Sequence, residues 1–266
     1  MPSLCVKVIY MVHCNVISHR GANKYAPQNT IPAFQKSIDI GVDGFETDVH
    51  FSSDGHIVIC HNYTVDETSN GMGNVSDMTL ERLRELDFGS YFSEKFAGTT
   101  LPTLEEFLEL CKNDDIKVMN IEIKEPKNGD KSIADKTIEV VKEFGLFDKL
   151  LISSFDAAII VRCKEVDENC KTGFLYSPDR KVTYEKMLLH YVDYAKELKA
   201  DFLHPHYSLV NANYVRKLHE NGIGVNVWTV DDTEMAKRFL GYGVDGLITN
   251  VPDMLNPVVD EFESNQ

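Results

Sequence analysis

The sequence has 266 residues, with 27 Lys and Arg against 42 Asp and Glu, a formal charge of −15 at pH 7. A composition 43% hydrophobic and 26% charged excludes disorder for the bulk of the chain. The acidity argues against a nucleic-acid-binding face, and no run approaches the roughly 18 apolar residues that stable membrane insertion requires.

The amino-terminal 14 residues are apolar but interrupted by Lys7, with no small-residue cleavage site before Asn15. They suggest a short strand or plug rather than a secretion signal. The first strand is expected at 15–18, running into His19-Arg20-Gly21. A helix follows over 30–40: Thr30 suits its N-cap, Ile31, Phe34 and Ile38 share one face, and Gly41 closes it. The second strand, 44–49, leads into 51–59, where Asp54-Gly55 between extended runs signals a hairpin. Regular alternation is then lost over 62–100, apart from a short helix near 79–86, and resumes with a helix at 103–111. Further strands are expected at 117–123, 150–153, 172–175, 201–204, 224–229 and 246–249, separated by helices at 132–144, 156–166, 184–199, 211–221 and 232–241, with a last helix at 253–263.

The hairpin is too short for a parallel crossover and stands outside the count. Eight strands remain, alternating with helices. That pattern predicts an α/β fold, a (β/α)8 TIM barrel in one domain over 1–266, with a small insertion at about 62–100 after the hairpin. No Gly-rich phosphate loop supports a dinucleotide-binding sheet. Six cysteines at 5, 14, 60, 111, 163 and 170 form no CxxC pair, so reduced thiols and a cytoplasmic location are expected.

Functional side chains of such barrels sit at the strand C-termini. Strand one ends in His19 and Arg20, strand two carries Glu46 and Asp48, the hairpin returns to His61, and 117–123 carries Glu122 with Lys124 just beyond. Glu46 and Asp48, two apart on a strand, point the same way. Three carboxylates without a cysteine ligand describe a site for one hard divalent cation, Mg²⁺ or Ca²⁺, better than zinc. The alternative is a structural salt-bridge network with Arg20 and Lys124. His19 and His61 are the groups here suited to proton transfer near neutrality, and Arg20 and Lys124 suit a phosphate. Together these parts suit phosphodiester hydrolysis.

The ordered set His19-Arg20-Gly21, Pro27-Gln28-Asn29-Thr30, Glu46-Thr47-Asp48-Val49, Asp54-Gly55, His61, Glu122-Ile123-Lys124, Val227-Trp228-Thr229-Val230 and Gly243-Val244-Asp245-Gly246 with Thr249-Asn250 and Pro252 resembles the glycerophosphodiester phosphodiesterase family. The resemblance runs from about 16 to 254. It implies a metal-dependent barrel enzyme hydrolysing small-molecule glycerophosphodiesters to glycerol 3-phosphate and an alcohol. It implies Glu46, Asp48 and Glu122 as metal ligands, His19 and His61 as the acid/base pair, and Arg20 and Lys124 as phosphate contacts. The chain departs from the family pattern at Gln28, where Glu is usual, and at Asn62, where Asp is usual; rate and pH optimum are where these changes should act.

Trp228, the single tryptophan, is expected to wall the pocket against the glycerol carbons, and His206, rim-ward of His204, to reach the substrate. Phe155 is a further pocket candidate. The insertion aromatics Tyr63, Phe88, Tyr91, Phe92 and Phe96 are expected to form its satellite core. Two rival functions are a phospholipase-C-like or lysophospholipase-D-like lipid phosphodiesterase, and a non-catalytic glycerophosphodiester-binding protein. The absence of an amphipathic anchor and the retention of every ligand and histidine weigh against them. Oligomeric state is left open by the sequence.

Overall fold

The computed structural model describes residues 13–127 and 129–265, with 181–186 described by their backbone alone. The expected amino-terminal strand or plug, and Cys5, lie outside the described residues. Nine strands form one sheet: β1 (Asn15–His19), β2 (Gly44–Phe51), β3 (Ile57–Ile59), β4 (Val118–Ile123), β5 (Leu150–Ser154), β6 (Lys171–Tyr176), β7 (Phe202–Pro205), β8 (Gly224–Val227) and β9 (Gly246–Thr249). Eight pair in parallel, and β1 bonds both β2 and β9, which closes the ring into a (β/α)8 barrel. β3 lies antiparallel to β2 outside the ring, as the Asp54-Gly55 turn requires; Gly55 sits at φ 82°.

Helices α1 (Ile31–Ile40), α2 (Leu80–Arg84), α3 (Leu104–Cys111), α4 (Ser132–Glu143), α5 (Ala157–Val166), α6 (Lys181–Glu197), α7 (Ala212–His219), α8 (Thr233–Tyr242) and α9 (Pro252–Ser264) complete the chain. Gly41 ends α1 in the left-handed region, as expected. Thr30 takes the N-cap position, but its hydroxyl donates to the Pro27 carbonyl (2.5 Å) and makes no cap bond. The full capping box is instead at Thr103 and Glu106, opening α3.

Strand alternation divides the core. Phe45 and Val49 of β2 and Met119, Ile121 and Ile123 of β4 pack in the layer between sheet and helices. Their alternates Glu46, Asp48, Asn120 and Glu122 therefore face the barrel interior, all buried. Space inside comes from glycines: a Cβ at Gly173 would fall on the His204 ring, and one at Gly224 on the Phe202 ring. The barrel base is stitched by aspartates that begin strands. Asp43 accepts from the Val16 amide (2.9 Å), Asp201 from Thr172 (2.7 Å) and Asp245 from Val225 (2.7 Å), each reaching the neighbouring strand.

Two elements differ from expectation. β8 ends at Val227 and not at 229, because Trp228 turns across the rim: its Nε1 donates to the His204 carbonyl (2.7 Å) and its own carbonyl accepts from the Tyr207 amide (2.7 Å). The insertion is held by Val58, Cys60, Val65, Val75, Leu83, Leu86, Phe88 and Leu101. Of the five aromatics expected there, only Phe88 joins this cluster. Tyr91 and Phe92 are exposed, Phe96 packs on Phe92, and Tyr63 turns towards the barrel mouth, edge-on to His50.

Candidate active site

Parallel strands put their C-terminal ends on one rim, and six of the nine sequence-predicted site residues gather there at the ends of β1, β2 and β4. His19 closes β1 and Arg20 follows it at φ 58°, a left-handed conformation costly for a side chain with a Cβ. That turn is held by the Arg20 amide donating to the Glu46 carbonyl (2.9 Å) and by the Asn29 amide donating to the Arg20 carbonyl (2.9 Å). Gly21 must be glycine: φ is 75°, and a Cβ would meet Ala33 at 2.8 Å. The seventh residue, His61, arrives through the hairpin, with the Cys60 amide donating to the Asp48 carbonyl (3.0 Å).

Glu46, Asp48 and Glu122 each offer a carboxylate oxygen, all within 4.8 Å of one another. Lys124 Nζ lies 2.6 Å from both Asp48 Oδ1 and Glu122 Oε1, and Arg20 Nε lies 3.6 Å from Asp48 Oδ2. Asn29 Nδ2 donates to Asp48 Oδ2 (2.7 Å). The metal-site and salt-bridge readings of these residues thus describe one cluster. Its charges do not balance: three carboxylates face two fixed cations. Burial would raise the Asp48 carboxyl, but Lys124 and Arg20 hold it well below the usual carboxylate range. Burial, with Asp48 and Glu122 adding repulsion, pushes Glu46 well above it. Burial also raises Glu122, against the pull of Lys124. Glu46 has no Lys or Arg within ion-pair distance among the described residues; its nearest basic group is His19 Nε2, at 3.9 Å. An all-oxygen donor set with one carboxylate left over fits a hard divalent cation.

Both histidines are oriented by asparagine amides. His19 Nδ1 lies 2.8 Å from Asn250 Oδ1, and His61 Nδ1 lies 2.6 Å from Asn62 Oδ1. An amide oxygen only accepts, so each Nδ1 carries the proton and each Nε2 keeps its lone pair. Asn250 is fixed by donating to Asp231 (2.6 Å), and Asn62 by donating to Glu67 (2.7 Å). Burial lowers the His19 pKa to about 3, helped by Arg20. Burial also lowers His61, with Lys124 adding to it and Asp48 opposing. At the other departure from the family pattern, Gln28 Oε1 accepts from Arg20 Nη1 (2.6 Å).

His19, Arg20, Glu46, His61, Glu122 and Lys124 line a chamber of about 200 Å³, together with Asn120, Ser153, Phe155, Leu175, Ser177, Asp179, Arg180, Trp228 and Ile248, and Asp48 lies buried behind this lining. A groove of about 380 Å³ shares His61, Glu122, Lys124, Phe155 and Arg180 with it, and adds Asn62, Tyr63, Thr64, Glu67 and Glu125. Trp228 and Phe155 meet edge to face, with ring centroids 5.7 Å apart, and the Arg180 guanidinium lies 4.2 Å from the Phe155 ring centre. His206 is not among the lining residues of either space. It caps the short turn 207–209 through Ser208 and packs 5.4 Å from Trp228. His204 is fully buried below, bonded to Asn226 (3.1 Å). Sequence reasoning missed Arg180, Asn120, Ser153 and the orienting roles of Asn29 and Asn250. Asn29 and Asn250 stand inside recognisable motifs, but nothing local marks a partner up to 231 residues away.

Residues 19–254 match the model of the glycerophosphoryl diester phosphodiesterase family. The chain is 40% identical over 240 residues to a glycerophosphodiester phosphodiesterase of Caldanaerobacter subterraneus subsp. tengcongensis, covering 90% of this chain and 95% of the relative. It is 29% identical over 251 residues to one of Bacillus altitudinis, covering 93% and 99%. Among solved structures, a phosphodiesterase of Oleispira antarctica in complex with the product sn-glycerol-3-phosphate superposes with a TM-score of 0.85 at 26% identity, covering 92% of this chain and 96% of that one.

Proposed function

The chain belongs to the glycerophosphoryl diester phosphodiesterase family, and from that membership we propose that it hydrolyses small glycerophosphodiesters to glycerol 3-phosphate and an alcohol, with one divalent cation, Mg²⁺ or Ca²⁺. The observation that carries this reading is the convergence of three buried carboxylates beside two histidines at one barrel mouth. Glu46, Asp48 and Glu122 would hold the cation, which when bound supplies Lewis-acid polarisation of a phosphoryl oxygen.

The chain's own groups carry the other tasks. Arg20 and Lys124 neutralise the phosphodiester, the guanidinium by paired hydrogen bonds and the ammonium as a point charge. His19 and His61 present Nε2 to the chamber: one takes a proton from the nucleophile, and the other, protonated, returns one to the leaving alkoxide. Trp228 walls the chamber against the substrate's carbon skeleton. His206 acts only through Trp228, a weaker part than its sequence position suggests. The groove beyond is lined with Asn62, Thr64, Glu67, Glu125 and Arg180 as well as Tyr63 and Phe155, and its charged groups favour water-soluble leaving groups over lipid chains. No helix among the described residues is long and apolar enough to cross a membrane. Among the described residues, five cysteines are buried free thiols, which fits a cytoplasmic protein.

Release of glycerol 3-phosphate from glycerophosphocholine tests the reading. Turnover with Mg²⁺ or Ca²⁺ is expected, with loss on thorough chelation and recovery on re-addition. Undiminished turnover after chelation removes the metal from the reaction, and stronger turnover of a lysophospholipid transfers the enzyme to lipid substrates.

A further inference from the structure

The chamber lining combines polar and carbon groups. Asn120 of β4 and Ser153 of β5 stand beside Glu122, Asn120 two residues deeper on the same strand and Ser153 in register with Glu122. Asn120 is 1% exposed and Ser153 fully buried. The Asn120 amide nitrogen and oxygen and the Ser153 hydroxyl have no hydrogen-bond partner among the described residues, yet both side chains line the chamber. Buried polar groups are rarely left without a partner, and those that are call for an explanation. The same chamber is lined by Leu175, Ile248 and Trp228, which offer carbon surface, and by Ser177 and Asp179 on the segment that leads to Arg180. A short polyol offers the same two kinds of contact, hydroxyls for the polar groups and carbons for the apolar ones.

We infer that Asn120 and Ser153 are specificity residues that hydrogen-bond a hydroxyl of the glycerol group retained on the phosphate, while Leu175, Ile248 and Trp228 pack its carbons. The inference rests on the phosphodiesterase reading and deepens it. Asn120 can both donate and accept, and Ser153 can do either, so the pair satisfies a hydroxyl completely. A substrate lacking that hydroxyl leaves buried groups unpaired, and this is how a polar site rejects a deoxygenated analogue. His204 Nδ1, also without a partner, is outside the chamber lining and has no part in this.

The experiment compares kcat/KM for glycerophosphocholine with that for the analogue whose glycerol is replaced by propane-1,2-diol. The wild type should prefer the glycerol substrate by on the order of tenfold or more. Ser153→Ala and Asn120→Leu should each erode that preference mainly by slowing the glycerol substrate, leaving the analogue within about twofold of wild type. Equal loss on both substrates makes the two residues structural and overturns the inference, as does an unchanged preference. Should Asn120→Leu fail to fold by circular dichroism, Ser153→Ala decides alone. If the wild type turns over neither substrate, the phosphodiesterase reading falls and this inference with it; turnover of both without discrimination overturns only the inference.

Discussion

Each histidine at the mouth works through a neutral neighbour. The Asn62 and Asn250 amide oxygens fix the tautomer and aim Nε2 without adding charge, so neither histidine gains the basicity that an adjacent carboxylate would give. On the proposed mechanism the departure at Asn62 would act here, keeping the ring's orientation while removing a neighbouring charge. A graded series follows. His19→Ala and His61→Ala should each lower kcat by on the order of 10²–10⁴, whereas Asn250→Leu, which leaves the imidazole in place but frees its rotation, should cost about tenfold in kcat with KM little changed. Steady-state kinetics on glycerophosphocholine separates the cases; an Asn250→Leu enzyme as impaired as His19→Ala would mean that Asn250 does more than orient. Asn29 has the same supporting character, accepting from Thr47 (2.9 Å) while donating to Asp48.

At the scale of elements, the rim opposite the site is tied by titratable pairs. His13 bridges Asp43 (2.9 Å) and Glu263 (2.8 Å), joining the start of β1 to β2 and α9. His219 at the end of α7 meets Asp245 at 2.8 Å. Burial would lower the His13 pKa, but bonds to Glu263 and Asp43 raise it; the Asp245 bond raises His219 against a smaller burial effect. Both therefore hold a proton in the folded protein to a higher pH than in the unfolded chain. Each contributes stability that is complete below the ordinary histidine value of about 6.5 and is lost as pH rises through the raised value. Replacing both by Asn should lower the melting temperature most near about pH 6, with the gap from wild type closing towards about pH 9. Melting curves across that range check this, and a gap independent of pH would assign the two residues to packing. The sequence offered no partner for either histidine, because both partners come from other elements.

For the molecule as a whole, an acidic exterior surrounds a mouth where Arg20, Lys124 and Arg180 supply positive charge and three carboxylates are buried together. Burying like charges is costly unless they are paired; Lys124 pairs Asp48 and Glu122, and a cation bound beside Glu46 would offset the remaining cost by mass action. We take the chain to be one folding unit, insertion included, since Val58 and Cys60 of the hairpin and Leu101 before α3 belong to the insertion's own cluster. Thermal unfolding should then be a single transition whose midpoint rises on adding Mg²⁺ or Ca²⁺. In Glu46→Gln the cation-free midpoint should rise and the cation response should shrink. Calorimetry with and without the ion measures both, and two separate transitions would divide the insertion from the barrel.

The strand count, the barrel and seven of the residues that gather at its rim could be read from the sequence. Strand and helix periodicity are local properties, and the family's motifs keep their order along the chain: His19-Arg20-Gly21, Glu46 and Asp48, His61, and Glu122 with Lys124 were legible without coordinates. How those groups are supported emerged from the folded barrel. Asn120 and Ser153 sit among apolar residues and read as core, yet inward alternation on adjacent strands gives them to the chamber. Arg180 follows a strand with no local mark of function. The His206 imidazole, one residue past β7, is turned aside by its own capping bond, and Tyr91, Phe92 and Phe96 pack edge-on among themselves, apart from the insertion's buried cluster. Side-chain direction, and the pairing of residues 231 positions apart such as His19 with Asn250, depend on the closure of the barrel, which no local stretch of sequence encodes.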